Sequence, residues 1–131
     1  MLDLPFVTEG RFECFLGALL EFRKAPGVNQ QAIRALLEKR RASQPIGEWS
    51  CGSVFTNPPG DHAARLIEAA GLKGYSIGGA SVSMKHANFI INHGAARAAD
   101  VERLIAHVRD TVARTHGITL TPEVRIVGVP A

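Results

Sequence analysis

Between Arg11 and Arg23 the chain alternates almost without error. Phe12, Cys14, Leu16, Ala18, Leu20 and Phe22 fall on one face, and Arg11, Glu13, Glu21 and Arg23 mark the ends of the other. A period of two suits a strand with one buried face, because successive side chains point to opposite sides of a sheet. The pattern therefore predicts a long strand over 11–23. Ala25-Pro26-Gly27 interrupts it, composition shifts there, and the break is the predicted domain boundary.

Beyond the break the period becomes helical. Asn29 is a predicted N-cap for a helix running to about Ser43, with an apolar stripe of Ala32, Ile33, Leu36 and Leu37, ended by Pro45 and Gly47. A second helix follows Pro58-Pro59-Gly60, with Asp61 as N-cap, Ala63, Ala64, Ile67 and Ala70 facing inward, and Gly71 closing it. In the third, Val101, Leu104, Ile105, Val108 and Val112 follow the i, i+3, i+4, i+7 spacing. Asp100 and Glu102 sit in its first turn and Gly117 ends it. Strand-like runs lie at Ser53–Phe55, Tyr75–Ile77, Asn88–Ile91, Thr119–Leu120 and Val124–Val127. These are too unevenly interleaved for repeated βαβ units. The expected fold class is α+β, an antiparallel or mixed sheet covered by helices.

Composition narrows the class. The 131 residues are 46% hydrophobic and 21% charged, enough apolar surface for one folded domain and too much for disorder. No apolar run approaches the ~20 residues of a membrane helix, and the Met1-Leu2-Asp3-Leu4-Pro5 start lacks a secretory n-region. A cytoplasmic location without membrane contact is expected. Cys14 and Cys51 show neither metal spacing nor a disulfide framework and read as reduced packing thiols. Net charge is +3, aromatics are only 6%, and the one dense basic run, Lys39-Arg40-Arg41, ends a predicted helix, where positive charge complements the dipole. No nucleic-acid partner is expected.

Taken singly, the chemical signals are weak. In Cys51-Gly52-Ser53-Val54-Phe55-Thr56-Asn57, Gly52 would admit a ligand close to the backbone, Ser53 could donate a proton and Asn57 could hold a polar head group. A turn in which Ser and Asn satisfy their own backbone explains the same residues. Gly78-Gly79 lacks the spacing of a dinucleotide or Walker loop, so a phosphate cradle is weakly supported. Ser83–Asn88 gathers a cation, an imidazole and amide donors suited to a diphosphate. The five histidines form no i, i+4 pair, and no metal is expected. Glu123, at the start of a strand-like run, reads as a solvated carboxylate.

Together they change weight. Ser-Cys-Gly-Ser-Val-Phe at 50–55, Asn-Pro-Pro-Gly at 57–60, Gly-Leu-Lys-Gly at 71–74, Ile-Gly-Gly-Ala at 77–80, Lys-His-Ala-Asn-Phe-Ile-Ile-Asn at 85–92 and Pro-Glu-Val-Arg-Ile at 122–126 occur in this order. The chain thereby resembles UDP-N-acetylenolpyruvoylglucosamine reductases (UDP-N-acetylmuramate dehydrogenases) across about residues 28–128, their C-terminal substrate-binding domain.

That resemblance implies an NADPH-using, FAD-dependent reductase that turns UDP-N-acetylglucosamine enolpyruvate into UDP-N-acetylmuramate in peptidoglycan synthesis, and so serves cell-wall biogenesis, cell shape and the cell division cycle. It implies Ser53 as proton donor and Glu123 as the group that polarises the substrate carboxylate or assists that proton step, the two catalytic residues. Asn57, His86 and Gln44 are the implied substrate contacts, His86 near the diphosphate. Thr56 stands where many relatives carry Lys. The family's FAD sits in two N-terminal domains. Here residues 1–25 would be a remnant of the flavin domain's last strand and 26–131 the substrate-binding domain, and the chain alone is not expected to hold FAD or NADPH. A stand-alone UDP-sugar-binding or interaction module without redox activity is the alternative. The unpaired 11–23 strand would promote self-association.

Overall fold

A computed structural model of the chain describes residues 7–8, 11–12, 17, 19–21 and 30–128. Near the N-terminus β1 (Val7–Thr8) pairs antiparallel with β2 (Arg11–Phe12). The predicted 11–23 strand is thus seen only in Arg11–Phe12. Gly17 and Leu19–Glu21 are not strand, and the remainder, with Cys14 and the proposed cap Asn29, lies outside the described residues.

Helix α1 spans Gln30–Ser43, with Arg40 and Arg41 in its last turn as the charge pattern required. Its predicted stripe is not buried: Ile33, Leu36 and Leu37 are exposed. The periodicity correctly marks one face of a helix, but within this chain that face is left open.

After α1 come β3 (Ser50–Ser53), α2 (Ala63–Ala69), β4 (Ser76–Ile77), β5 (Ala80–Val82), β6 (Phe89–Asn92) and α3 (Ala98–His116). The four later strands form one antiparallel sheet in the order β3-β6-β5-β4. The expectation of an antiparallel or mixed sheet with helices holds in its antiparallel form. Strand β5 was not foreseen, because its three residues are all buried and show no alternation. Thr119–Leu120 and Val124–Val127 are not strands; the C-terminal segment contributes a single bridge, Phe55 to Pro122.

The core lies between sheet and helices. Leu66 and Ile67 of α2 and Leu104, Ile105, Val108 and Val112 of α3 meet Ala80, Val82 and Ile90 from the strands, with Val54, Phe55 and Leu120 from the loops. Tyr75 stacks on His107 with ring centroids 4.3 Å apart, fastening the sheet to α3. Helix α2 starts at Ala63 with His62, not Asp61, in the N-cap position. Asp61 instead pairs with Arg65 and accepts the His62 N–H. Gly71 closes α2 as predicted, in a left-handed conformation, with the Leu72 N–H returning to the Ile67 carbonyl at 3.2 Å.

Gly78-Gly79 is a two-residue hairpin turn, since Ile77 pairs with Ala80. A side chain at Gly78 would overlap the Asp100 carboxylate, and one at Gly79 would overlap the backbone of Ala95 and Ala96. Asp100 accepts the Arg97 N–H at 3.0 Å, pairs with Arg103 and receives the Gly79 N–H, and the Arg97 and Arg103 contacts chiefly hold its carboxyl below the usual range. A buried carboxylate occupies the place an anion would need, so this glycine pair is a docking turn and not a phosphate cradle. Gly79→Ala is expected to destabilise the domain by about 1–3 kcal/mol through overpacking, read as a lower unfolding midpoint; a midpoint equal to that of the parent chain would contradict the packing described.

Candidate functional site

Strand β3 carries the first site residue out of the sheet. Ser50 faces Ile91 while Ser53 faces Phe89, so one extra residue is accommodated on β3. Gly52, at φ +83°, absorbs the bulge that this miscount demands. Ser53 is left half-buried at the end of the strand.

Immediately after it, the chain is held by three neighbours. The Val54 N–H donates to the Asn88 carbonyl at 2.9 Å, and the Val54 carbonyl accepts the Glu123 N–H at 2.8 Å. The Thr56 N–H donates to the Thr121 carbonyl at 3.0 Å. Segment 121–124 therefore runs antiparallel beside 54–56 and brings Glu123 next to the strand end that bears Ser53.

Asn57 is placed by a different task. Its Oδ1 accepts the Ala63 N–H at 3.0 Å, satisfying one of the donors left open at the start of α2. The Nδ2 end remains as the donor end of the carboxamide. His86 lies on the turn between β5 and β6. The hydroxyl of buried Ser83 accepts the Lys85 and His86 N–H groups at 3.1 and 3.3 Å, shaping that turn. His86 Nδ1 accepts the Asn88 N–H at 3.3 Å, which puts the ring proton of the neutral tautomer on Nε2. The ring meets Phe89 edge-on at 4.9 Å. Burial, with the nearby Lys73 charge, lowers its pKa from the ordinary 6.5, so His86 is neutral at pH 7.

These elements enclose a cavity of about 240 Å³ lined by Ser53, Phe55, Asn57, His62, Ala64, His86, Asn88 and Glu123. Four of the five residues singled out from the sequence share it. Gln44 does not: it follows α1, and its Oε1 accepts Arg40 Nε at 3.0 Å. Two polar lining residues were missed. Nothing in the pattern marked His62, which follows the assumed cap Asp61, and Asn88 was read only as one donor among several in a loop. Cys51 is exposed and does not act as a packing thiol. Among the described residues no three His, Cys, Asp or Glu side chains gather as a metal site, and no helix is long and apolar enough to cross a membrane.

The arrangement offers a hydroxyl, a carboxylate, a carboxamide and a neutral imidazole N–H around one small ligand end.

Residues 44–127 match the family described as UDP-N-acetylenolpyruvoylglucosamine reductase, C-terminal domain. The chain is 62% identical over 117 residues to the UDP-N-acetylenolpyruvoylglucosamine reductase of Alkalilimnicola ehrlichii, covering 88% of this chain and 39% of that protein. The enzyme of the same name from Methylococcus capsulatus is 60% identical over 117 residues, covering 88% and 38%. The crystal structure of the Thermus caldophilus reductase superimposes with a TM-score of 0.60 at 40% identity, over 71% of this chain and 33% of that one. The chain thus spans about two fifths of the length of the curated relatives it matches. Sequence and fold agree that the chain belongs to the UDP-N-acetylenolpyruvoylglucosamine reductase family, in its C-terminal domain.

Proposed function

We propose that this domain holds the enolpyruvyl end of UDP-N-acetylglucosamine enolpyruvate and delivers the proton that completes its reduction to UDP-N-acetylmuramate, a cytoplasmic step of peptidoglycan synthesis. The observation that carries the proposal is the placing of Ser53 and Glu123 on one cavity with Asn57 and His86. Residues 26–131 form the substrate-binding domain on this reading, and 1–25 belong with the flavin domain's last strand.

Adding a hydride to the methylene carbon of an enol-ether acid leaves negative charge on the carbon that bears the carboxylate. Ser53 Oγ gives its proton to that carbon. A hydroxyl is a weak acid in water, so the step depends on its being held beside groups that stabilise the charge. Glu123 assists by polarising the substrate carboxylate or by aiding the proton step. His86, neutral with its proton on Nε2, and the Asn57 carboxamide donate hydrogen bonds to the diphosphate and sugar portion without adding charge. FAD reduced by NADPH would supply the hydride, held by the family's N-terminal domains; on this reading the chain alone binds substrate without turning it over.

Calorimetry with UDP-N-acetylglucosamine enolpyruvate tests the half-site. Binding is expected in the parent chain, with affinity reduced about tenfold in Asn57→Ala or His86→Ala, the scale of one good hydrogen bond. An absence of heat at millimolar ligand would contradict the proposal. Joined to the N-terminal part of the Alkalilimnicola ehrlichii relative, the chain should support NADPH oxidation, and Ser53→Ala should lower kcat by about 10²–10⁴-fold with little change in KM. Unaltered kcat would remove Ser53 from the chemistry. For His86, an NMR titration should give a midpoint below 6.5; one at or above it would contradict the burial described for the ring.

A further inference from the structure

The proposed chemistry makes no use of Asn88, although it lines the cavity and is only 4% exposed. Its carboxamide is spent on a single residue far away in sequence. Oδ1 accepts the Phe55 N–H at 3.0 Å and Nδ2 donates to the Phe55 carbonyl at 2.8 Å. The orientation of the amide follows from its partners, since Phe55 presents one donor and one acceptor. The main chain of Asn88 is equally engaged: its carbonyl accepts the Val54 N–H at 2.9 Å, and its own N–H donates to His86 Nδ1 at 3.3 Å.

One residue therefore ties together three branches of the site. It grips the two residues after Ser53, and through Val54, whose carbonyl holds the Glu123 N–H, it reaches the carboxylate. It also fixes the His86 tautomer. We infer that Asn88 is a positioning residue, a latch that sets Ser53, Glu123 and His86 in register. Its role in the reaction rests on the assignment of Ser53 and Glu123 given above; its role as a latch does not.

Phe55 is 2% exposed, so loss of the carboxamide would strand its N–H and carbonyl where water does not reach. The segment must shift to find new partners. Replacement by Asp gives a sharper case. An ionised carboxylate still accepts the Phe55 N–H but sets oxygen against the Phe55 carbonyl, whereas the protonated acid restores one donor and one acceptor.

The test compares Asn88→Ala, Asn88→Asp and the core variant Val112→Ala in the full chain by NMR. Asn88→Ala should move the amide resonances of Ser53 and Glu123 and redistribute the His86 tautomer. Val112→Ala, though destabilised, should leave all three in place. Asn88→Asp should be perturbed at pH 7 and return towards the parent positions as the introduced carboxyl protonates, which decides the matter if Asn88→Ala does not fold. Unmoved resonances in Asn88→Ala, equal movement in Val112→Ala, or no acid recovery in Asn88→Asp would overturn the latch. Calorimetry with the enolpyruvyl UDP-sugar then separates the two assignments. A parent chain that binds should lose at least about tenfold in affinity on Asn88→Ala, the scale of one hydrogen bond, and unchanged affinity would overturn the positioning role. A parent chain that shows the resonance changes yet binds nothing would sink the substrate assignment and leave the latch supported.

Discussion

The site depends on how the backbone from Val54 to Thr56 is held. One side is bound by Asn88, through its carbonyl to Val54 and its carboxamide to Phe55; the other is bound by the C-terminal segment, through Thr121 and Glu123. A single buried hydrogen bond contributes only about 0.5–1.5 kcal/mol net, but leaving its partner unsatisfied costs more. These bonds are made together, so losing one strains the rest. Ser53, His86 and Glu123 belong to three separate stretches of chain, and this short strip of backbone is where the stretches meet.

The same strip is anchored in the core. Val54 and Phe55, directly after Ser53, and Leu120, shortly before Glu123, are among the most deeply buried side chains. Ser53 and Glu123 are thus each a short step along the backbone from an apolar anchor. Helix α2 reaches the site directly, through Ala64 in the cavity wall and the Ala63 N–H that Asn57 accepts, and the Gly78-Gly79 turn packs against Asp100 in the first turn of α3.

Much of this could be read from the chain before any coordinates. Helix α3 was clear because Leu104, Ile105, Val108 and Val112 combine strong periodicity with a buried outcome. Helix α1 had equal periodicity, yet Ile33, Leu36 and Leu37 stay exposed, because a pattern identifies a face and not the partner that covers it. Strand β5 escaped notice for the opposite reason: a strand buried on both faces does not alternate. Of the residues that the family resemblance singles out, Ser53, Asn57, His86 and Glu123 line one cavity, while Gln44 lies outside it and accepts Arg40 Nε. Asn88 stood in plain view within the Lys85–Asn92 motif. Its importance lies in a bond to Phe55, 33 positions distant, and no local pattern reports such a pairing.

The central claim is that one small cavity receives the enolpyruvyl end of a UDP-sugar. Resonance mapping of the isotope-labelled chain during titration with UDP-N-acetylglucosamine enolpyruvate tests it most directly. The largest shifts should fall on Ser53, Asn57, His86 and Glu123, with the separate cavity lined by Trp49, Ser50, Cys51, Ile90, Asn92 and Val101 unchanged. Shifts centred on Trp49 and Cys51, or none at millimolar ligand, would contradict it.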